Sequence, residues 1–450
     1  GSMPPELVKG LVKEYTALDI ASPAGEDRHR SLEGVLAGSI GRLDPTTQTR
    51  LSALTLFSTF SLEAAAGVWG INPILAAQAM RELVEKSLVQ YESVGGEHGQ
   101  YRLLKTTKQY LSRLAPPAQE AIERFVRYET KACQRLDGEI RSEQSPTTFR
   151  AWDSEHANIL TALHLAVTHE YLEEAMELIH GLQFYFRFRL GLESAAQMAR
   201  SISGPIEHLP PSASRARFFN DLSAMEMQEG HMEEAEKALI LAIADAKTRQ
   251  DHHLQPKMLM NSAVIAWQQG RNQEAIETTR QAAALAEKIG DNKVYASILS
   301  NLGALLNREG SMDEAAEILE KSAELHARQG DHAHRVLVYT NLAELNLNRK
   351  GPLAALEDLL RAANLADEIE LTGYLGLISA LSAIVLVRLN RKEQAAKLWA
   401  NYLAAPNIII VRDDPIEVGY PEEMEQLQSQ TLQPAALNGS LSAFLRAEIA

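Results

Sequence analysis

The sequence predicts a mainly α-helical chain in which a small domain of helices and one β-hairpin precedes a right-handed α-solenoid of two-helix repeats with a period of 40 residues. Three observations lead there. The first is a register: Gly230, Gly270, Gly310, Lys350 and Asn390 stand 40 apart, and each is followed five residues later by alanine, at Ala235, Ala275, Ala315, Ala355 and Ala395. Asn261, Asn301 and Asn341 share the period, as do Gln250-Asp251, Gly290-Asp291 and Gly330-Asp331. Such self-similarity marks a repeat architecture. The second is helical spacing between these markers, with Ile298, Leu302, Leu305 and Leu306 on one stripe and Ala315, Ile318, Leu319 and Ala323 on the next. The third is a change of period upstream, where Leu88-Val89-Gln90-Tyr91 and Tyr101-Arg102-Leu103-Leu104 read as strands.

Composition sets the limits. The 450 residues carry 44 Lys and Arg against 59 Asp and Glu, a formal charge of −15, with 45% apolar residues, which is globular chemistry with room for several domains. An acidic excess disfavours a protein that coats nucleic acid or an anionic membrane, because phosphate binding needs a basic surface. Cys133 is the single cysteine. It excludes an internal disulfide, a cysteine zinc site and an iron–sulfur cluster, and it fits a reducing compartment, so the cytoplasm is expected. No apolar run is long enough to span a bilayer, and Gly1-Ser2-Met3-Pro4 reads as a cloning scar, with the native N-terminus expected upstream.

Taken in order, Leu51 to Phe60, Leu62 to Val68 and Ile74 to Lys86 are expected helices, the last with Leu75, Ala79, Leu83 and Val84 facing inward. The hairpin follows through Gly95-Gly96-Glu97-His98-Gly99, whose glycines suit a turn. Three helices and a β-hairpin make a winged helix, placed at 44–115. A helix from Lys105 to Leu114 stops before Pro116-Pro117, and a long helix from Ala118 to Arg141 lies within a linker at 116–149. The repeats occupy 150–403, with weaker copies at Gly191 and Ala196 and around Glu170 and Ala175. In each repeat a Gly ends the first helix in the left-handed conformation and a polar residue such as Ser311 can cap the second. The small alanine allows close helix approach, and hairpins stack because none hides its apolar face alone. The tail at 404–450 ends in a helix from Leu441 to Ile449.

The repeat pattern, best carried by Asn301-Leu302-Gly303-Ala304-Leu305-Leu306-Asn307-Arg308-Glu309-Gly310-Ser311-Met312-Asp313-Glu314-Ala315, resembles the tetratricopeptide repeat in its longer form. A second resemblance covers most of the chain. Arg28-His29-Arg30-Ser31-Leu32 through Leu43-Asp44-Pro45, then Phe60-Ser61-Leu62-Glu63-Ala64-Ala65, Leu83-Val84-Glu85-Lys86-Ser87-Leu88-Val89 and Tyr101 to Tyr110, resemble the winged helix that follows the NB-ARC nucleotide-binding core in STAND-class signalling ATPases. Trp152-Asp153-Ser154-Glu155-His156-Ala157-Asn158-Ile159-Leu160 resembles the start of the sensor array in the AfsR-like and MalT-like bacterial regulators. The resemblance implies that 1–43 is a helical remnant from the end of the nucleotide-binding region. It also implies that ATP or ADP belongs to that missing region. No G-x-x-x-x-G-K-[ST] occurs, so this chain is expected to hold no cofactor and to hydrolyse nothing. No LuxR-type DNA-binding domain is recognisable in the tail after Pro406 either.

The candidate site is the groove of the solenoid. Asparagines at the corresponding place in peptide-binding tetratricopeptide proteins bond the peptide main chain, because an amide offers both donor and acceptor. The resemblance therefore points to Asn261, Asn301 and Asn341, extended by helical neighbours to Lys257 and Gln268, Ser297 and Arg308, and Glu344 and Asn348. The plain alternative is that each Asn bonds the adjacent helix. Other constellations are weaker. His252-His253 and His332-x-His334 follow a turn Asp but lack a Glu or Cys to complete a metal set, so solvated turn histidines are expected and no metal. Cys133 reads as an inert thiol with no partner histidine, and Phe184-Tyr185-Phe186-Arg187-Phe188 as core of the first repeat. The expected function is a sensing and relay module of a regulator that binds a peptide, protein or small inducer in the groove and passes its occupancy to the nucleotide-binding domain. A constitutive interaction scaffold is the alternative. DNA binding through the wing is a second, disfavoured by seven basic against six acidic residues over Asp44–Leu114 and by Glu82, Glu85 and Glu97 on the reading surfaces.

Overall fold

Asp44 begins the regular part of the chain as a side-chain cap: its Oδ1 accepts from the Thr46 and Thr47 amides at 2.9 and 3.1 Å. In the computed structural model, the described residues are 26–94, 98–140, 145–185, 193–249, 252–369 and 371–404, with 420, 423, 426–427 and 440–449 beyond them. The chain divides into two compact units, one of residues 1–135 with 151–178 and the other of 136–150 with 179–450. No helix among the described residues is long and apolar enough to cross a membrane.

In the first unit, α1 (Glu26–Gly41) precedes α2 (Pro45–Ala53), α3 (Leu62–Trp69) and α4 (Pro73–Glu85). The strands β1 (Val89–Val94) and β2 (His98–Leu103) pair antiparallel with Val89 opposite Leu103, and α5 (Lys105–Leu114) and α6 (Gln119–Ile140) follow. The helix expected over Leu51 to Phe60 is not formed. The helix begins earlier, at Pro45, and passes through a 3-10 turn at Leu54–Leu56 into extended chain at Phe57. Tertiary packing decides this. Phe60 exchanges backbone hydrogen bonds of 2.9 and 2.8 Å with Tyr101, adding a bridge to the hairpin, while the Phe57 ring packs 4.9 Å from Phe125 and 5.2 Å from Phe60. Asn158 fixes the same segment, accepting from the Ser58 amide and donating to the Thr59 carbonyl, both at 2.8 Å.

The inward face of α4 also differs from expectation. Ala76, Ala79, Met80 and Leu83 are buried, whereas Ile74 and Leu75 are exposed. With Asn72 capping a helix that starts at Pro73, the buried stripe falls at the spacing 76, 79, 80, 83, and Leu75 lies off it. The hairpin turn at 95–97 lies outside the described residues. Cys133 is fully buried, with its Sγ 3.7 Å from the Leu178 carbonyl. Of the aromatic run, Tyr185 is buried, and Phe186, Arg187 and Phe188 lie outside the described residues.

Glu129 on α6 is fully buried, and neither carboxylate oxygen finds a hydrogen bond among the described residues. Burial, with the Glu155 carboxylate beside it, pushes its pKa well above the ordinary value. A raised carboxyl pKa means that the folded state holds the proton more tightly than the unfolded one. Stability from this group is therefore complete below the unfolded pKa and is lost as pH rises through the folded pKa. Glu129→Gln, which keeps the shape of the neutral acid, should melt higher than the parent at pH 8, with the difference closing towards pH 4.5; thermal melts followed by circular dichroism across that range check the sign.

The second unit carries the repeats. After α7 (Ser145–Thr168) and α8 (Leu172–Tyr185), which the unit boundaries divide, and α9 (Glu193–Glu207), five hairpins follow: α10 (Ala213–Gln228) with α11 (Met232–Arg249), α12 (Gln255–Gln268) with α13 (Asn272–Lys288), α14 (Asn292–Glu309) with α15 (Met312–Arg328), α16 (His332–Arg349) with α17 (Pro352–Glu368), and α18 (Thr372–Arg388) with α19 (Lys392–Ala404). The mainly α repeat solenoid is thus present. Ala196, Ala235, Ala275, Ala315, Ala355 and Ala395 are all fully buried, each where two helices meet. The terminal α20 (Leu441–Ile449) packs on α17, with Leu441 and Leu445 buried and Arg446 donating to Asn364 at 3.1 Å.

The turn column follows the same period with one shift. Gly310 closes α14 at φ 90°, and Asn390 takes the corresponding left-handed place at φ 58°. Lys350, just past the helix, keeps a negative φ of −115°, and Gly351 carries the positive φ of 96° instead. A lysine Cβ resists that conformation, so the turn moves one residue to the glycine. Ser311 does not cap α15, contrary to expectation. Its hydroxyl takes none of the first-turn amides, and its own amide bonds the Leu306 carbonyl at 2.9 Å, closing the preceding helix. Asp291 and Asp331 do cap, accepting from the Val294 and His334 amides at 3.0 and 3.1 Å.

Within the third hairpin the helices approach so closely that a Cβ on Gly303 falls 2.5 Å from Leu319 Cγ and 2.7 Å from its Cδ2. Leu319 belongs to a buried cluster with Leu302, Leu306, Ala315 and Leu342. Gly303→Ala should therefore destabilise the chain by about 1–3 kcal/mol, because helix propensity gains less than overpacking costs. A urea midpoint equal to or above the parent's would contradict this.

Candidate functional site

The first helices of successive repeats are joined laterally by bonds 41 residues apart. Asp221 Oδ2 lies 2.5 Å from His180 Nδ1. Asn261 donates from Nδ2 to both Asn220 O and Asn220 Oδ1 at 3.1 Å. Asn341 donates to Ser300 Oγ at 3.3 Å. The equivalent partner for Asn301 is Met260, whose thioether is a poor acceptor, and among the described residues Asn301 has no hydrogen-bond partner. The three asparagines share one register but divide in role: Asn261 is buried and committed to its neighbour, Asn341 is half-buried and bonded, and Asn301 is half-buried with its carboxamide unspent.

Between these helices lies a cavity of about 200 Å³. His180 and Gln183 of α8, Asn220, Asp221 and Ala224 of α10, Lys257, Met260 and Asn261 of α12, Lys293, Val294, Ser297, Ser300 and Asn301 of α14, and Asp331, His334 and Leu337 of α16 line it. The lining alternates helices, so it is the inner face that collects the polar side chains. Four of the nine candidate residues converge here: Lys257, Asn261, Ser297 and Asn301. Gln268, Arg308, Asn341, Glu344 and Asn348 do not line it. Lys257 and Lys293 supply positive charge, while Asp221 and Asp331 are each engaged by histidine.

Arg308, Glu344 and Asn348 instead face a piece of the chain's own tail. Arg388 donates to Asn348 Oδ1 at 3.2 Å and to Glu423 at 2.6 Å, and its guanidinium stands 5.4 Å from the centre of the Tyr420 ring. Burial pushes the Tyr420 phenol above its ordinary range, and the Glu344 carboxylate adds to the shift.

One arrangement was not anticipated. His334 turns out to share Asp331 with His326, a residue the repeat pattern does not mark. His326 Nδ1 and His334 Nδ1 lie 3.3 and 2.9 Å from the same oxygen, Asp331 Oδ2, and the two rings stack 5.0 Å apart at 5°. Burial alone raises the Asp331 carboxyl, but the two histidines against it hold it well below the usual carboxylate range. His332 turns elsewhere, with its Nδ1 3.5 Å from Arg335, and His252 and His253 are exposed. A sequence signal existed in the spacing His326-x4-Asp331-x2-His334, read across a helix end, a turn and a helix start.

The division among the asparagines gives a direct check. Asn261→Ala strips two bonds from a buried site and leaves Asn220 unsatisfied, which should cost about 1–3 kcal/mol. Asn301→Ala should shift stability by less than about 0.5 kcal/mol, as for a surface change away from any network. Urea midpoints for the two variants, measured side by side, test the order.

No protein-family model matches the chain. No curated protein matches it either. Among solved structures, it is similar to a signal transduction ATPase with numerous domains (STAND) that carries a tetratricopeptide repeat sensor, from Pyrococcus horikoshii, at 14% identity and TM-score 0.48, covering 100% of this chain and 72% of that one. A Rap protein complexed with competence and sporulation factor gives 14% identity and TM-score 0.43 over 87% of this chain and 99% of that one. Aspartyl phosphate phosphatase F from Bacillus subtilis gives 11% identity and TM-score 0.46 over 98% and 99%.

Proposed function

We propose that the chain is a sensing module that binds an extended peptide, or a peptide-like segment of a partner protein, along the inner face of its repeats. The observation that carries this reading is the cavity shared by α8, α10, α12, α14 and α16, in which Asn301 holds an unspent carboxamide and which Lys257 and Lys293 also line. A carboxamide pairs with a main-chain amide in both directions, and two ammonium groups attract an acidic side chain or a terminal carboxylate. The reading therefore favours an acidic peptide over a basic one. It extends, following the family resemblance, to a cytoplasmic regulator in which 44–115 acts as a winged helix between this sensor and a nucleotide-binding domain, with ATP or ADP held there. Ligand binding shifts such a switch only by its differential affinity for the two states.

DNA binding through that segment is the weaker reading. The exposed part of α4 and its C-cap present Ile74 and Leu75 with Arg81 and Lys86 against Glu82 and Glu85, Lys86 lying 3.6 Å from Glu82, a surface with no net positive charge.

Selection from a random peptide library on the immobilised chain should enrich acidic sequences. The joint change Asn301→Ala/Lys257→Ala should weaken the best of them by about 10–100-fold, the loss expected for a charge-assisted bond. Isothermal titration measures it. Equal affinity for parent and variant, or enrichment of basic peptides, would overturn the assignment of this cavity.

A further inference from the structure

We propose that His326, Asp331 and His334 form a binding site for a divalent transition-metal ion, with zinc the ion that best fits the donors. The fold brings them together at one helix-to-helix turn. His326 lies in the last turn of α15, Asp331 is the N-cap of α16, and His334 is in the first turn of α16. Gly330, at φ 66°, reverses the chain between them. Separations of five and three residues thereby converge on one carboxylate oxygen, with one donor atom from each residue lying within 4.8 Å of the others.

The donor spacing is close to what coordination requires. Zinc holds imidazole nitrogen and carboxylate oxygen at roughly 2.0–2.2 Å, which places tetrahedral ligands about 3.4 Å from one another. The two nitrogen-to-oxygen distances of 3.3 and 2.9 Å lie at that value or slightly inside it, and because the two rings stack nearly parallel, one imidazole must turn as the carboxylate moves outward for both in-plane lone pairs to reach the ion. Two imidazoles and a carboxylate with no thiolate suit zinc or another borderline divalent metal, and they are a poor cage for calcium or magnesium, which favour oxygen.

A second observation is independent of the distances. His326 is fully buried, and among the described residues neither of its ring nitrogens makes a hydrogen bond. Its Nδ1 is 3.3 Å from Asp331 but misaligned for donation. A buried imidazole in that condition is rare unless something satisfies it, and metal coordination would. Hydrogen-bond partners also position the carboxylate, since Asp331 Oδ1 accepts from the His334 amide at 3.1 Å.

Access comes from the groove. Asp331 and His334 both line the inner cavity, so the ion enters from that side and its fourth position faces the same space. Three protein ligands with one open position let a water, or a carboxylate of whatever occupies the groove, complete the shell. The site does not depend on the peptide reading, because the chain alone should take up the metal.

The test is metal uptake by the full chain after treatment with a chelator. Titration with zinc chloride should show one equivalent bound, and cobalt should give the visible absorption of a tetrahedral site. His334→Ala, at a half-exposed position, and Asp331→Asn, which retains an acceptor for the α16 cap, should each weaken binding at least tenfold with unchanged circular dichroism. The joint change His252→Ala/His253→Ala should leave it unaltered. Uptake below half an equivalent by the parent overturns the proposal, as does unchanged binding in both site variants or loss only when His252 and His253 are removed. Peptide affinity, measured separately, reports on the other reading.

Discussion

Close approach between helices at one small residue per repeat is the constraint on which the second unit rests. A two-helix hairpin of this length leaves an apolar face that it cannot cover, and only a neighbour at a fixed offset covers it. Ala235, Ala275, Ala315, Ala355 and Ala395 hold that offset because each is small and fully buried, and Gly303 tightens it further against Leu319. The same offset sets the polar chemistry. Once first helices repeat every 40 residues, the side chain at one position meets the one 41 earlier, and every polar group on the inner face is either paired by that rule or left for something else.

This rule explains how much was legible in the sequence. The period, the hairpins, the turn glycines and the terminal helix could be read because each depends on local spacing. The asparagine column could also be read, but its division in role could not. Asn220, Met260 and Ser300 occupy the partner column and differ in chemistry, so their effect on Asn261, Asn301 and Asn341 needs the offset between helices, which no single-repeat pattern contains. Leu51 to Phe60 failed for a related reason. An apolar run is helical by composition, yet Phe60 gains more by bridging Tyr101 and burying its ring than by continuing the helix.

The histidines show the same limit from the other side. Two residues at i and i+2 on a helix face different directions, so His332-x-His334 was a poor pair from the outset. The effective partner of His334 lies beyond the turn, at His326, and becomes visible only when Gly330 and Asp331 fold the end of α15 against the start of α16. Local sequence contained the three residues and the turn glycine, but their convergence is a property of the hairpin reversal.

The inner face is thereby divided along its length into two chemically different stretches. Around Asn301 the wall is polar, carries two lysines and opens into a cavity. Around Asn348 it is closed by Tyr420 and Glu423, which engage Arg388 by ring contact and by ion pair. The ion pair is partly exposed, so burial of the Tyr420 ring contributes the larger share of that contact. A short ligand can fill the first stretch without disturbing the second. A longer one must displace the chain's own tyrosine and glutamate from Arg388, and its affinity is reduced by whatever that contact contributes. On the proposed reading, ligand length as well as charge would therefore enter the selectivity of the groove.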